Sequence, residues 1–466
     1  MTSSYRVRVG SGSDSSSCLS NARRPTNSWG SAVGEGYYCA TSGLAHPRVR
    51  ERRFNVGAER RAGRVETSRV SRERPVSVPM SSPDITDLEQ MAVADVLRSS
   101  TLSVGPQVEA FEDAVAQGLG VRYAIAVSSG TAGLHCAAIA SGVDTGSLVI
   151  TSPFSFVSSA NVILYERAVP IFVDVEPETG NLRPDLVCEA VEDLSHGGAR
   201  AARWLPPALR DTQSGPLKAV LPVHAFGQPV DMDQILAACV ARGVPVIEDA
   251  CEAIGATYNG RQAGTLGTSG VFAFYPNKQM TAGEGGMLVT NNGTHAAVVR
   301  SLRNQGRDTV GADAEHVRLG YSYRLDEMSA ALARVQFSRL DELLRKRDRV
   351  VSWYAERLGG LEAIEIPRVA SFTSRMSWFV YVLRARRARD RDRIVDRLMS
   401  AGIPSRRYFT PIHLQPYYRD RFGYEPGLYP TSEDWGARAL AVPFSSVMTV
   451  EQVDGVCRAL ERAVGD

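Results

Sequence analysis

Lys278 is the residue of this sequence that is best suited to covalent chemistry. The 466 residues include 50 arginines but only three lysines, at positions 218, 278 and 346. Arginine stays protonated at any accessible pH, whereas a lysine amine can lose its proton and attack a carbonyl carbon. Lys278 stands between the apolar run 271–275 and the glycine-rich segment 283–286. A single lysine is more often a solvated surface charge, so the residues around it decide the interpretation.

A run of small residues is suited to binding a phosphate group. Ser128, Ser129, Gly130 and Thr131 stand between a predicted strand over 123–127 and a predicted helix. Free backbone N–H groups at the start of a helix, together with small hydroxyl side chains, bind phosphate. An ordinary helix N-cap is the alternative interpretation of the same residues.

An acid and an aromatic residue follow two other predicted strands. Asp249 ends the run 246–249, and ligands of parallel α/β sheets gather at that edge. An aspartate there can hold a pyridine nitrogen protonated, which makes the ring an electron sink, although a salt-bridged or capping aspartate is the alternative. Phe156 can stack on a flat ring, although most such aromatic residues belong to the core. Phosphate cup, aromatic residue, aspartate and lysine, in this order, form the pattern of a pyridoxal-phosphate enzyme.

Charge and cysteine usage limit the classes of partner and compartment. Residues 1–79 carry 14 arginines and six acidic residues, whereas the remainder carries 39 basic and 45 acidic residues. The body of the chain therefore offers no basic surface for nucleic acid. The seven cysteines form no C-x-x-C pair and stand near no histidine at metal spacing, so we expect reduced thiols, no metal site and a cytoplasmic protein. The sequence has no apolar run of 18 residues, so we expect no transmembrane helix.

The order of elements predicts two domains after an N-terminal extension. Residues 1–79 are rich in Ser, Arg and Gly, which favours disorder, and we expect the natural protein to begin near Met80. Strands and helices alternate over 80–330, which predicts an α/β domain with a mostly parallel sheet covered by helices. A linker helix over 326–358 leads to a smaller C-terminal domain within 331–466, which contains a predicted strand over 378–382.

The first helix is predicted from its apolar period. Its apolar residues fall on one face, and they are Ile85, Leu88, Met91, Ala92 and Val96.

The chain from about residue 85 to 465 resembles the DegT/DnrJ/StrS family of fold type I aminotransferases, which act largely on nucleotide-linked keto-sugars. The segments that carry the resemblance are Gly105-Pro-Gln-Val-Glu-Ala-Phe-Glu112, Ser129-Gly-Thr-Ala132, Pro222-Val-His-Ala-Phe-Gly227, Glu248-Asp-Ala-Cys-Glu252, Asn277-Lys-Gln, Gly283-Glu-Gly-Gly286, Arg303-Asn-Gln-Gly-Arg307, Leu319-Gly-Tyr-Ser-Tyr-Arg-Leu325 and Thr410-Pro-Ile-His413. The resemblance implies a large domain with a mostly parallel seven-stranded sheet and a smaller C-terminal α+β domain. It also implies pyridoxal 5'-phosphate as the cofactor.

The resemblance assigns roles to four side chains around the cofactor ring. Lys278 would form the Schiff base and then move a proton between the cofactor and substrate carbons. Asp249 would pair with the ring nitrogen, and Phe156 would stack on the ring. Glu252 would face the phenolic oxygen. Gln or His is more common there in the family, and a glutamate would make a like-charge contact unless it is protonated or turned away.

The implied phosphate contacts include two departures from the family pattern. Gly130, Thr131 and Ala132 match the phosphate-binding motif. Ala273 stands where the family often has a serine whose hydroxyl touches the phosphate. Ser322 stands where the family often has an asparagine donated across a dimer interface. These changes weaken two contacts, for which Ser128, Ser129 or Asn277 are the candidate replacements.

Three further residues are candidates for binding the substrate. His224 and His413 fall in family motifs near the site, although a structural histidine is an equally good interpretation of each. Arg324 could meet a carboxylate or a pyrophosphate. The resemblance also implies a homodimer with shared active sites, whose interface would include the regions 326–358 and 303–324.

The expected reaction is a ping-pong transfer of nitrogen. Glutamate or glutamine would load the cofactor, and a keto-sugar nucleotide would then accept the amino group. One branch of the family has His in place of the lysine and dehydrates sugars, so Lys278 favours transamination. A cyclitol ketone or an aromatic precursor as the acceptor, and a cofactor-binding sensor with weak turnover, are the alternatives.

Overall fold

The computed structural model of the protein describes residues 78–212, 215–307 and 315–465. The predicted disordered extension therefore lies outside the described residues except at its end. There, Val78 is buried in an apolar cluster with residues of the C-terminal sheet, and the Phe444 N–H donates to the Met80 carbonyl at 3.0 Å.

The described part of the chain contains fourteen α-helices and fourteen strands. The helices are α1 Asp87–Arg98, α2 Pro106–Leu119, α3 Gly130–Ala140, α4 Ser158–Tyr165, α5 Pro184–His196, α6 Gly198–Ala202, α7 Met232–Arg242, α8 Gly293–Arg303, α9 Glu327–Ser338, α10 Leu340–Leu358, α11 Ala388–Ser400, α12 Pro416–Phe422, α13 Pro430–Arg438 and α14 Val450–Gly465. The strands are β1 Tyr123–Val127, β2 Leu148–Thr151, β3 Val169–Phe172, β4 Leu217–Leu221, β5 Ile247–Asp249, β6 Thr257–Tyr258, β7 Arg261–Gln262, β8 Ser269–Ala273, β9 Gly286–Thr290, β10 Ile364–Glu365, β11 Thr373–Arg375, β12 Tyr381–Ala385, β13 Arg406–Arg407 and β14 Ala439–Val442.

Seven strands form the large sheet in the order β3-β2-β4-β5-β8-β9-β1. Strands β2, β3 and β4 pair in parallel, as do β5 and β8. Two parallel bridges, Val220 with Val246 and Val223 with Asp249, join β4 to β5. Strand β9 is antiparallel to both neighbours. The predicted mostly parallel, seven-stranded sheet is therefore confirmed, with one reversed strand.

Helices cover both faces of this sheet, as the near-continuous apolar strands require. On one face α3, α4 and α8 bury a cluster that includes Leu134, Ile163 and Val299. On the other face α2 and α9 bury Phe111 and Ala330 against β8 and β9. The carboxyl ends of β1, β2, β5 and β8 consequently lie at one protected edge.

A second sheet forms the core of the C-terminal region. Its four strands run antiparallel in the order β10-β12-β14-β13, and α11 and α14 pack on it. Helix α10 reaches this sheet, where the Tyr354 ring stacks on Tyr381 with centroids 4.7 Å apart.

Two predictions about helices need correction. The linker region 326–358 contains two helices, because Arg339 ends α9 and precedes α10. The predicted apolar face of α1 is mostly exposed: Leu88 is 58% and Met91 63% exposed. The helix instead buries Val96 and the polar Glu89, whose carboxylate accepts the Thr86 N–H in a capping box and a hydrogen bond from Gln336.

None of the helices that the structure describes is long and apolar enough to cross a membrane.

Candidate active site

Lys278 lies in the turn after β8, and its amine occupies a defined position. The Lys278 Nζ is 3.4 Å from the Glu252 Oε1 and 3.8 Å from the centre of the Phe379 ring. The side chain is 13% exposed, so the amine is reachable but largely shielded from water. The adjacent Asn277 has a buried Oδ1 with no hydrogen-bond partner among the described residues.

Glu252 faces Lys278 with one oxygen and the backbone with the other. Its Oε2 accepts the N–H of Phe226 at 2.9 Å. Burial raises the pKa of the Glu252 carboxyl, and the positive charge of Lys278 opposes this only in part. The raised pKa reduces the like-charge contact that the sequence predicted for a glutamate beside a phenolate.

A pH-dependent stability difference is expected for Glu252→Gln. Because the pKa of Glu252 is raised on folding, the folded protein binds this proton more tightly, and ionisation above the unfolded value of 4.5 lowers stability. Glutamine cannot ionise. The free energy of unfolding of the variant should therefore rise relative to that of the wild type between pH 4.5 and 8, by about 1.4 kcal/mol for each tenfold difference in proton affinity between the folded and unfolded chains. Urea unfolding of both proteins at the two pH values measures this. A difference that is equal at both pH values would contradict the assignment.

Asp249 is the last residue of β5 and is held rigidly. Its backbone N–H donates to the Pro222 carbonyl, and its own carbonyl accepts the His224 N–H. Its Oδ2 accepts a 2.7 Å hydrogen bond from the hydroxyl of Ser159, and its Oδ1 accepts the Cys251 N–H. The Ser159 hydroxyl in turn lies 2.8 Å from that of Ser155, so two serines on the β2–α4 segment orient the carboxylate.

The predicted phosphate motif forms the first turn of α3. Ser129 caps the helix by accepting the Ala132 N–H, whereas the N–H groups of Gly130 and Thr131 have no intrahelical acceptor. The Thr131 hydroxyl donates to the Ser158 hydroxyl at 3.0 Å. These two N–H groups and two hydroxyls at a helix N-terminus suit a phosphate.

Ala273 lies where the family's serine would be. A Cβ built on Gly130 would come within 2.7 Å of both the Ala273 Cβ and the Cys251 Sγ. The end of β8 thus lies against the first turn of α3, and only glycine permits this approach. The methyl group of Ala273 brings no hydroxyl to the turn.

Phe156 lines an open cleft next to these residues. Its side chain is 60% exposed, which distinguishes it from the core residue Phe154. The cleft has a volume of about 750 Å³ and is also lined by Tyr165, Phe409 and Tyr417. The Phe409 ring stacks on Phe226, the residue whose N–H binds Glu252, so the cleft adjoins the Lys278 region.

The chain's donors and acceptors fit pyridoxal 5'-phosphate. Gly130 and Thr131 offer free N–H groups for a phosphate, and Phe156 offers an exposed aromatic face for a ring. Asp249 offers a fixed carboxylate for a ring nitrogen, and Lys278 offers an amine for an aldehyde. The chain thus offers a suitable group for each of the four parts of this molecule: the phosphate, the ring face, the ring nitrogen and the aldehyde.

Each of the two predicted substrate-binding histidines contacts a glutamate of the protein. The His224 Nε2 lies 2.9 Å from the Glu248 Oε2, and its Nδ1 accepts the Val230 N–H, so neither nitrogen is free. His413 is fully buried, with Nε2 on Glu433 at 3.0 Å, and burial lowers its pKa. These contacts favour the structural alternative for His224, whereas the buried Nδ1 of His413 has no hydrogen-bond partner among the described residues.

Ser322 and Arg324 lie together on the segment after the undescribed residues 308–314. The Arg324 Nη2 donates to the exposed Ser322 hydroxyl at 3.1 Å, and its Nη1 donates to the Asn304 Oδ1. In the described ranges both side-chain partners of Arg324 are neutral, and it forms no ion pair with an acid there. Between them, the Tyr323 carbonyl accepts the Ser128 N–H, which connects this segment to the phosphate motif.

Sequence reasoning missed Ser159 and Phe379. Ser159 follows Phe156 by three residues, and a serine pair at a helix start is a weak signal without knowledge of which hydroxyl points inward. Phe379 is 101 positions from Lys278 and reaches it only through tertiary packing.

Comparison with known proteins shows the family of this chain. The family model described as the DegT/DnrJ/EryC1/StrS aminotransferase family matches residues 83–461. The chain belongs to this family. Among curated relatives of this aminotransferase, EpsN of Bacillus subtilis, assigned to the pyridoxal phosphate-dependent aminotransferases, is 35% identical over 390 residues, covering 82% of the chain and 94% of the relative. GDP-perosamine synthase of Caulobacter vibrioides is 34% identical over 391 residues, covering 83% and 98%.

Solved structures of aminotransferases have the same fold as this family member. The crystal structure of 3-amino-5-hydroxybenzoic acid synthase superposes with a TM-score of 0.74 at 26% identity, covering 84% of this chain and all of that one. The aminotransferase TlmJ from Streptoalloteichus hindustanus gives a TM-score of 0.73 at 28% identity, covering 83% and 99%. The predicted fold type, enzyme class and cofactor are confirmed: the protein is a pyridoxal 5'-phosphate-dependent aminotransferase.

Proposed function

We propose that this aminotransferase moves an amino group from glutamate or glutamine to a nucleotide-linked keto-sugar, in the cytoplasmic biosynthesis of an amino sugar. The observation that carries the proposal is the position of the Lys278 amine between Glu252 and Phe379, together with the open cleft of about 750 Å³ that Phe156 and Phe409 line. That volume is in the range of sites for substrates of several hundred daltons. The relative named GDP-perosamine synthase, at 34% identity, supports a sugar nucleotide as the acceptor.

Lys278, Asp249 and Phe156 have separate roles in the proposed reaction. When bound, pyridoxal 5'-phosphate supplies an aldehyde for the nitrogen and a ring that withdraws electrons. Lys278 attaches the cofactor and then moves a proton at its Nζ. Asp249, oriented by Ser159, keeps a proton on the ring nitrogen. Phe156 fixes the plane of the ring by stacking.

The phosphate and carboxylate groups have separate partners. The N–H groups of Gly130 and Thr131 hold the cofactor phosphate, with Ala132 closing the turn. Arg324, which has no acidic partner in the described residues, is the cation available for a substrate carboxylate or pyrophosphate.

We also propose a homodimer. Leu88 and Met91 on α1 are exposed apolar side chains, and Ser322 is exposed next to the half-buried Arg324. Such surfaces on a single chain suit burial against a second copy.

A donor and acceptor panel tests the function. The purified protein should show an absorption band near the border of the visible and ultraviolet, and glutamate or glutamine should shift it. Nucleotide-linked keto-sugars added next should restore the band and yield an aminated sugar nucleotide. Turnover only with a cyclitol ketone or an aromatic precursor would overturn the sugar assignment. A band that no amino donor shifts would favour a sensor.

The aromatic alternative has one specific observation in its favour. The structure of 3-amino-5-hydroxybenzoic acid synthase superposes on this chain over 84% of its length, and the cleft is lined by aromatic side chains. The same panel with a keto precursor of an aminated ring distinguishes the two acceptors.

A further inference from the structure

Arg347 is a buried cation whose hydrogen-bond partners are main-chain carbonyls and whose guanidinium lies 5.4 Å from the centre of the Phe444 ring. It lies on α10 and is 2% exposed. Its Nη1 donates to the carbonyls of Trp378 and Phe379, each at 3.2 Å, and its Nη2 donates to the carbonyl of Lys278 at 2.7 Å. No acidic side chain among the described residues forms an ion pair with it. Burial lowers the pKa of Arg347 to about 10.

This arrangement is costly for the fold alone. A buried charge loses its hydration, and proteins normally compensate by pairing it with an opposite charge. Carbonyl dipoles compensate only in part, and the buried Nε of Arg347 has no acceptor in the described chain. An apolar side chain of similar length would fill the same space but would leave three main-chain carbonyls without this donor. The task of the guanidinium therefore lies in the segments whose carbonyls it binds.

Two of the three carbonyls belong to the residues that place the reactive amine. Lys278 carries the amine, and Phe379 carries the ring on which the amine rests at 3.8 Å. The planar guanidinium of Arg347 thus binds the main-chain carbonyls of both Lys278 and Phe379. A second connection runs beside it, because the Gln279 Nε2 donates to the Ser377 carbonyl at 2.8 Å. The two connections tie residues 278–279 to residues 377–379.

We propose that Arg347 is a positioning residue that holds the Lys278 and Phe379 carbonyls on one guanidinium, so that the Lys278 amine meets the cofactor aldehyde from a fixed place. The inference rests on the proposed role of Lys278 as the residue that attaches the cofactor. A fixed amine reacts faster because fewer conformations must be lost on the way to the bond. In this bond the Nζ joins the aldehyde carbon, and the aldehyde oxygen leaves as water.

The test measures how fast the cofactor attaches to Lys278. Full-length protein freed of cofactor is mixed with pyridoxal 5'-phosphate, quenched with borohydride at timed intervals and analysed by peptide mass spectrometry. The only other lysines, Lys218 and Lys346, serve as internal references for nonspecific reaction. Melting temperature is recorded separately for each protein.

The variants are Arg347→Met, Arg347→Lys and a matched control, Arg391→Met. Arg391 is also a largely buried arginine that donates to two carbonyls, those of Gly436 at 2.9 Å and Ala439 at 3.2 Å, but it does not contact Lys278. We expect Arg347→Met to slow attachment at Lys278 at least tenfold without changing Lys218 or Lys346. Arg347→Lys should recover part of the rate, and Arg391→Met should lower only the melting temperature.

The outcomes separate this inference from the proposed function. Attachment within twofold of the wild-type rate in both Arg347 variants would overturn the positioning role, whatever their melting temperatures. Equal slowing by Arg391→Met would also overturn it, because a general loss of stability would then explain the effect. If Arg347→Met does not fold, Arg347→Lys decides, with slowing of at least threefold expected. Wild-type protein with no adduct on Lys278 would instead refute the proposed site.

Discussion

Replacing Lys278 by arginine is expected to abolish transamination, with kcat lower by about 10⁴-fold or more. Arginine keeps the positive charge beside Glu252 and Phe379, so both local contacts can persist. It remains protonated, however, and it can neither attack an aldehyde nor exchange a proton with a substrate carbon. Steady-state assay with the best donor and acceptor measures the loss, and the absorption band of the bound cofactor should be changed in the same sample.

Lys346→Arg is the matched control for this substitution. Lys346 pairs with Asp84 at 2.7 Å and with Glu342 at 2.6 Å, which arginine can also do. Its kcat should stay within twofold of the wild type. If Lys278→Arg retained more than a tenth of the wild-type kcat, Lys278 would not be the residue that forms the covalent bond.

Asp249→Asn is expected to lower kcat by about 10³-fold while the protein stays folded. Asparagine has nearly the same shape: its one oxygen can still accept the Cys251 N–H, and its NH₂ group can donate to the Ser159 hydroxyl once that hydroxyl turns. It is neutral, so it cannot hold a proton on a pyridine nitrogen, and the ring then withdraws electrons poorly. The expected signature is a shifted absorption band of the bound cofactor together with slow turnover.

The carboxylate that precedes α7 provides the control. Asp231 accepts the Tyr258 hydroxyl at 2.6 Å and lies before α7. Asp231→Asn should reduce the melting temperature at most slightly and leave kcat unchanged. Wild-type turnover in Asp249→Asn would remove Asp249 from the proposed site.

Much of the large domain could be predicted because its strands are short, apolar and bounded by clear signals. The predicted strand over 123–127 coincides with β1. The position of Asp249 at a strand end followed from the same pattern. Local sequence is sufficient there, because a strand that is buried on both faces is recognisable as a continuous apolar run without its neighbours.

Features that depend on distant partners could not be predicted. The exposed side of α1 depends on α9, whose Gln336 binds the buried Glu89. The strand predicted over 378–382 lies at Tyr381–Ala385, since residues 377–379 are engaged by Gly227, Gln279 and Arg347 instead of a neighbouring strand. Arg347 itself is one of many charged residues on an amphipathic helix, and nothing in its spacing distinguishes it.

The neighbouring residues Glu248 and Asp249 of β5 point to opposite faces of the sheet, because side chains alternate along a strand. Glu248 points to the face where it receives His224 and the N–H groups of Gly264, Leu266 and Gly267, and Asp249 points to the other face. A register shift of one residue would turn each of the two carboxylates to the opposite face of the sheet. Glu248 would then lose these hydrogen bonds, and Asp249 would leave the active site. The hydrogen bonds of Glu248 thus favour the native register of β5, because a chain in the shifted register would lose both stability and activity.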